Sequence, residues 1–434
     1  MQELNQVFLD RMRDILGEEY DDFISSLSDP SVKSIYVNEN KISVDRFKDI
    51  VDFSISPILY ERSGFYIDDI KLGRHPLHHA GAFYIQEPSA MFTINAHSFR
   101  GDEIVLDLCS APGGKSIQIA NRIPNGILVS NEIVKARSAM LYSNIERMGL
   151  KNVIITNDSP ENLCNAYANT FDVCVVDAPC SGEGMFRKGS DMISAWNPNL
   201  NTMCAARQME ILDSADIALK QGGYLIYSTC TYSLEENEGV VRDFLAKYDY
   251  ELVNIEADMT RGVSMPEVVR LYPHKVRGEG QFVAVLKKKS CNENLPKKNM
   301  KLQQSSISRK FIEDLGISPN EVVEHDGYAY NVLDTNMIKS RVNYVSIGVR
   351  LGSLNNHRFD PHHYLFTAFG KEMRSKISLD YTDERVVKYL RGETFEVDMI
   401  DGYGAILVND CAVGGYKISQ GKFKNFYPKG LRNF

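Results

Sequence analysis

No apolar run in this chain approaches the ~20 residues needed to span a membrane. The opening Met-Gln-Glu-Leu-Asn lacks the basic and apolar segments of a signal peptide. Eight cysteines are scattered with no Cys-x-x-Cys pair and no repeated spacing, which argues against a disulfide framework or a cysteine zinc site. Gly-x-Gly-x-x-Gly, the nicotinamide-type fingerprint, is absent. A phosphate-binding P-loop is incomplete, because Gly114-Lys115-Ser116 matches only its last part and Cys109 stands where its first glycine belongs. No internal repeat is visible. These absences leave a reduced, cytoplasmic protein, expected to be monomeric, with no membrane and no metal.

What is present is ordinary in amount and uneven in placement. The 434 residues allow two to four domains, and 43% hydrophobic with 24% charged residues suits a globular chain. The formal net charge of -8 divides into +3 from residue 291 onward and -11 before it. The last 24 residues carry Lys417, Lys422, Lys424, Lys429 and Arg432 and no acid. They form either a solvated tail or a basic surface which, interleaved with Phe423, Phe426 and Tyr427, would suit RNA backbone and stacked bases.

Residues 1–30 read as helical, with Leu4, Phe8, Met12, Ile15 and Leu16 at helical spacing and a break at Gly17; residues 31–43 alternate like a strand. His75, His78 and His79 have no carboxylate or cysteine at ligand spacing and are expected to be structural or RNA-facing. From Glu103 the chain repeats strand–helix units, with strands expected at 104–107, 126–130, 153–156, 172–176 and 224–227 and a late one at 281–286. This alternation implies a doubly wound, mostly parallel α/β sheet. The division expected is an α+β lead-in (1–95), a Rossmann-like core (96–288), a polar linker (289–306), an α+β module (307–375) and a small β-barrel (376–434).

A Gly-rich turn after the first strand, Cys109-Ser110-Ala111-Pro112-Gly113-Gly114-Lys115, and acids closing the next strands, Glu132 and Asp158, make a nucleoside-cofactor arrangement. S-adenosylmethionine fits it better than a dinucleotide, having no phosphate to hold. Two cysteines then follow strand ends: Cys180 in Asp177-Ala178-Pro179-Cys180, and Cys230 after Gly222-Gly223 and the strand 224–227. Ser233-Leu234-Glu235-Glu236 reads as a capping box opening the next helix. Amino-group methylases usually place an aromatic residue where Cys180 stands, so a cysteine points to covalent chemistry at a carbon. Carbon 5 of a pyrimidine becomes nucleophilic once a thiolate adds at carbon 6, and Cys230, Asp177 and Cys180 are candidates for that chemistry.

The segments 109–115, Asp-Ala-Pro-Cys-Ser-Gly-Glu-Gly-Met-Phe-Arg-Lys (177–188), Tyr-Ser-Thr-Cys-Thr-Tyr (227–232) and Pro-His…Gly-Glu-Gly-Gln-Phe (273–282) closely resemble the NOL1/NOP2/Sun family of RNA 5-methylcytosine methyltransferases. Gln86-Glu87-Pro88-Ser89-Ala90-Met91 resembles its lead-in motif, and Ser110 stands where the family usually has alanine. The resemblance implies that Cys230 is the nucleophile, that Cys180 assists release, and that Asp177 contacts cytosine and cofactor. Cys109 to Lys115, Glu132, Arg137 and Asp158 would line the S-adenosylmethionine site. Met185-Phe186-Arg187-Lys188 and residues 427–432 resemble the RsmF-type branch, which modifies bacterial small-subunit (16S) ribosomal RNA and carries a PUA-like RNA-binding barrel. On that basis Lys188, Lys422, Lys424, Lys429 and Arg432 are expected RNA contacts, with 16S rRNA or the 30S subunit as partner. A tRNA cytosine-5 methyltransferase and a non-catalytic RNA-binding assembly factor are the alternatives. A DNA-type enzyme would use Cys180 as its nucleophile instead.

Overall fold

Asn5 caps the first helix, Gln6–Leu16, by accepting from the Val7 amide, and Gly17 ends it at φ 54°, a conformation that costs glycine little. Phe8 and Met12 of this helix and Phe23 of the next, Tyr20–Ser26, pack against Phe186, Trp196, Tyr232 and Tyr272. These two helices thus buttress the loops that carry Cys180 and Cys230. The computed structural model describes residues 4–68, 71–291, 293–355, 358–398 and 400–432; the outer ends of the first and last expected domains, 1–3 and 433–434, lie outside them.

An antiparallel sheet follows, built from β1 (Ser34–Val37), β2 (Ile55–Ile58), β3 (Glu61–Ile67) and β4 (Phe83–Ile85) in the order β2-β3-β1-β4. The alternation over 31–43 yields only this four-residue β1, and all four of its residues are buried. Both of its faces are covered: Ile35 and Val37 belong to an apolar cluster that extends into the C-terminal module, whereas Tyr36 belongs to the cluster of the core.

The core sheet has parallel strands β5 (Ile104–Asp107), β6 (Ile127–Asn131), β7 (Val153–Thr156), β8 (Phe171–Asp177) and β9 (Leu219–Thr229), ordered β7-β6-β5-β8-β9. Beyond β9 the sheet turns antiparallel through β10 (Tyr250–Val253), β11 (Thr260–Gly262), β12 (Met265–Leu271) and β13 (Gln281–Lys288). Helices cover both faces, Gly114–Arg122 and Lys135–Met148 on one and Pro160–Ala166 and Asn199–Ala218 on the other. Strand β9 runs longer than expected, because Gly222-Gly223 lies inside it: Gly222 takes φ 78° and the pairing with β8 shifts register there. The glycine pair makes an irregularity within the strand instead of ending it.

Within the expected linker, 289–306, residues 297–304 are tied down. The Lys297 amide donates to the Ala166 carbonyl and the Met300 amide to that of Ile338, and β14 (Gln303–Gln304) joins β15 (Glu321–His325). With β16 (Tyr328–Val332), β18 (Val349–Asn355) and β19 (Arg358–Pro361) these form a five-stranded sheet, while β17 (Tyr344–Ser346) leaves it to pair with β7. The last module is a mixed sheet of β20 (Lys376–Leu379), β21 (Gly402–Val408), β22 (Cys411–Ser419) and β23 (Lys422–Asn425). Its Leu379, Tyr389 and Tyr416 share one apolar cluster with Phe47, Leu77 and Phe83 of the lead-in domain.

Candidate active site

In the core order β7-β6-β5-β8-β9 the direction of strand addition reverses between β5 and β8, and ligands bind at the C-terminal edge of such a switch point. Asp107 and Asp177 are the last residues of those two strands. Next to β8, β9 ends at Thr229 with Asp177 opposite Ser228, so the chains leaving the two strands run side by side. Cys180 and Cys230 are thereby brought together, their Sγ atoms 3.2 Å apart. Hydrogen bonding with Cys230 and burial hold the Cys180 thiol well above the ordinary thiol range.

Asp177 lies beside the pair and is held by three donors. Lys115 Nζ reaches its Oδ2 at 2.7 Å, and Ser228 Oγ at 2.7 Å and Gln281 Nε2 at 3.3 Å reach its Oδ1. Burial opposes the charge on Lys115, but the Asp177 carboxylate outweighs it and raises the amine above its usual range. The salt bridge thus fixes an anion and a cation at the mouth of the crevice. A cavity of about 360 Å³ opens here, walled by Cys230, Asp177, Lys115, Cys109, Tyr84 and Lys188.

The loops themselves are positioned by a buried polar network that the sequence pattern did not indicate. Glu236 accepts the Ser181 amide (2.9 Å), Asn201 Nδ2 (2.8 Å) and Gln208 Nε2 (2.9 Å). Glu183, fully buried, accepts from Arg11 (2.5 Å), Trp196 Nε1 (3.1 Å), Asn201 (2.8 Å) and the Tyr232 amide (3.1 Å). The Gly184 amide donates to the Cys230 carbonyl at 2.9 Å, and a Cβ at Gly184 would stand 2.8 Å from that oxygen. The expected capping box is only half formed. Ser233 Oγ accepts the Glu236 amide at 3.3 Å, but the Glu236 side chain turns away to the Cys180 loop, and a π-helical turn, Glu235–Gly239, precedes the helix Val240–Lys247.

On the cofactor side, Gly113 caps the helix Gly114–Arg122 at φ 118°, and a Cβ at Gly114 would come within 3.1–3.3 Å of Gln86 and Tyr84. Ser110, Ala111, Pro112 and Gly114 border the cavity. Glu132 follows β6, is 3% exposed, and accepts the Val134 amide at 2.9 Å, with Arg137 3.4 Å away. Arg137 also donates to the Ala111 carbonyl at 2.7 Å, joining Glu132 to the Gly-rich turn. Asp158 is committed to the protein: it accepts from the Ser159 amide, Asn162 Nδ2 and the Asn343 amide. It latches the approach to β17 onto the end of β7. Asp107, unnoticed in the sequence, is fully buried; burial raises its carboxyl to about 7, against the Ser116 hydroxyl that donates at 2.6 Å. Its Oδ1 has no partner among the described residues. The acids Asp107, Asp177 and Glu132 all act on the Cys109 thiol, which burial and these charges hold well above its usual range.

The expected RNA contacts separate into two groups. Lys188 is exposed on the cavity wall, whereas Lys422 and Lys424 lie on β23 and Lys429 beyond it, all exposed on the last module. Arg432 instead donates twice to the Tyr427 carbonyl of its own chain. Phe423 and Tyr427 are buried, Phe423 stacked on Tyr416, so they build the module instead of facing bases. His75 caps the short helix Pro76–His79 and His79 contacts Tyr427 Oη at 2.9 Å. Burial lowers His78 to about 2 and His79 to about 4, the state of neutral structural imidazoles.

Three family models match segments of this chain. Residues 4–88 match the N-terminal domain of 16S rRNA methyltransferase RsmF, 95–287 match 16S rRNA methyltransferase RsmB/F, and 376–433 match the methyltransferase RsmF PUA domain. The chain is 32% identical to ribosomal RNA small subunit methyltransferase F of Shewanella sp. (strain MR-4), over 99% of its own length and 98% of that protein's. The chain belongs to this methyltransferase family. A second member, ribosomal RNA small subunit methyltransferase F of Klebsiella pneumoniae (strain 342), is 31% identical over 98% of this chain and 96% of its own. A methyltransferase homolog from Pyrococcus horikoshii, known from a crystal structure, superposes with a TM-score of 0.58 at 28% identity, over 65% of this chain and 95% of that one.

The cofactor of this methyltransferase is S-adenosylmethionine, and the residues present fit it. An unpartnered buried carboxylate oxygen on Asp107, the nearby Asp177 and Glu132, and a cavity bounded by a Gly-rich turn suit a ligand with a sulfonium, an ammonium and a ribose diol. Among the described residues no group of His, Cys, Asp and Glu side chains is arranged to hold a metal ion, and no helix is long and apolar enough to cross a membrane.

Proposed function

We propose that this enzyme methylates carbon 5 of cytosine in cytoplasmic small-subunit (16S) ribosomal RNA, through a covalent bond between Cys230 Sγ and carbon 6 of the base. The observation that carries the reading is the cysteine pair, 3.2 Å apart beside Asp177, with the Cys180 thiol held well above the ordinary range. The Cys230 thiolate adds to carbon 6, and the displaced electron pair makes carbon 5 nucleophilic. Asp177, fixed by Lys115, Ser228 and Gln281, is placed to accept from the exocyclic amine of cytosine and orient the ring over Cys230. S-adenosylmethionine supplies the electrophilic methyl group. Solvent water takes the carbon 5 proton, the electron pair of that C–H bond restores the 5,6 double bond as the Cys230–carbon 6 bond breaks, and Cys180 stabilises the departing thiolate by donating its S–H to it. Cys109 to Lys115, Glu132, Arg137 and Asp107 hold the cofactor end of the crevice. The RNA substrate follows from the relatives' names and from the PUA-type module with its exposed lysines.

The test is methyl transfer from labelled S-adenosylmethionine to naked 16S rRNA, assembled small subunits and tRNA, followed by nucleoside analysis. Label in 5-methylcytidine from small-subunit RNA is the expected result. Label confined to tRNA, or to a base other than cytosine, contradicts the proposal.

A further inference from the structure

A second cavity, of about 290 Å³, lies where all four folded parts of the chain meet, and nothing in the methyl-transfer chemistry uses it. The lead-in domain contributes Arg74 and His78, the core helix Lys135–Met148 contributes Arg147, and the two C-terminal modules contribute His363 and Tyr427. No Asp or Glu is among the described residues that line it.

Arg147 is the unusual member. Its guanidinium donates to the carbonyls of His78 (2.8 Å) and Phe83 (3.4 Å) and to Asn144 Oδ1 (3.2 Å), but makes no ion pair among the described residues. Burial lowers it to about 10, and no neighbouring carboxylate offsets that cost. Charges taken from water are ordinarily paired. Lys41 Nζ donates to the Arg147 carbonyl, and burial lowers that amine to about 7. Glu146, next to Arg147 in the helix, is engaged 3.2 Å from His362. Arg74 is exposed at the rim with no counter-ion among the described residues. His78 and His363 are held neutral by burial, and each has a buried Nδ1 with no hydrogen-bond partner among the described residues. Two guanidiniums and two neutral imidazoles with open nitrogens, and no acid, form a receptor for an anion that also takes hydrogen bonds.

We propose that this cavity binds a phosphate group of the RNA backbone, serving as a docking point for the substrate outside the reaction cavity. One aromatic ring links the two cavities: the Arg147 guanidinium lies 5.9 Å from the centre of the Tyr84 ring, and Tyr84 lines the reaction cavity. A strand held here is therefore beside the catalytic crevice, and its grip depends on the lead-in, core and C-terminal modules staying docked together. The assignment rests on reading the chain as an RNA-modifying enzyme.

The test measures equilibrium binding of a 16S rRNA fragment by the full-length protein over a range of salt concentrations, for wild type, Arg74→Ser and Arg147→Gln. Losing one phosphate contact should weaken binding several-fold and lower the slope of log K against log[salt] by roughly 0.7–0.9. Arg147→Gln also removes donors from two carbonyls, so its melting temperature is compared with wild type; Arg74→Ser touches no structural partner and stands in if that variant unfolds. A folded Arg74→Ser protein with wild-type RNA affinity and slope overturns the proposal. So does calorimetric binding of inorganic phosphate at the cavity with RNA affinity unchanged in both variants, which would assign the site to a free anion. Methyl transfer by the wild type is measured alongside: if transfer to RNA fails while the slope difference persists, the reaction assignment falls and the phosphate site stands.

Discussion

Glu132 has one carboxylate oxygen on the Val134 amide and the other 3.4 Å from Arg137, which leaves acceptor capacity for a ribose diol. Glu132→Ala should weaken S-adenosylmethionine binding ten- to a hundred-fold, about 1.5–3 kcal/mol, with RNA affinity nearly unchanged; calorimetric titration reads this directly. Asp107 makes a pH-dependent prediction. Its carboxyl is raised from 3.8 to about 7 by burial, and a cationic ligand binds best to its charged form. Cofactor affinity should therefore rise with pH from roughly 6 to 8, and Asp107→Asn should flatten that rise. The sign for folding is opposite. Between roughly pH 4 and 7 the native state binds the extra proton, so this group's contribution to stability falls as pH increases through that window and is constant above it. Glu132 could be found in the sequence because it closes a strand. Asp107 closes one too, but only burial shows that its Oδ1 is left unpartnered.

At the scale of elements, the site depends on two loops held in one geometry. Glu236 satisfies three donors that belong to the Cys180 loop and the helix Asn199–Ala218. Glu236→Ala should lower kcat roughly 10- to 100-fold with a smaller change in KM, because a displacement of an ångström at the nucleophile has that cost. Glu236→Gln, which keeps one carbonyl acceptor, should recover part of the loss; an equal loss in both variants would deny the positioning role. The strands and their closing residues were legible because short apolar runs ending in an acid or a cysteine have few other uses. The Glu183–Asn201–Glu236 network was not, since it joins positions 18 to 53 residues apart that look like ordinary helix and cap residues one at a time. The glycine pair in β9 misled for a similar reason: a breaker in sequence becomes a bulge when the neighbouring strand continues past it.

Across the whole molecule, modules that read as separable are fastened to one another. Lys41 Nζ donates to the carbonyls of Ala80, Arg147 and Ala412, drawn from the lead-in domain, the core and the last module. Lys41→Met leaves three buried acceptors unmet and should cost ~3 kcal/mol or more, seen as a lower melting temperature with cofactor contacts untouched. Removing residues 376–434 should likewise uncover Phe47, Leu77 and Phe83 and destabilise the lead-in domain, instead of trimming away an independent RNA-binding tail. The basic tail was legible as charge but not as geometry, because Arg432 turns back onto its own chain. The central claim concerns which of two neighbouring sulfurs carries the RNA. Wild type, Cys230→Ala and Cys180→Ala are each incubated with 16S rRNA and S-adenosylmethionine and run on a denaturing gel. Cys180→Ala should accumulate a protein–RNA complex that survives denaturation, Cys230→Ala should form none, and both should turn over poorly. A trapped complex in Cys230→Ala, or near-normal turnover in both variants, would contradict the account.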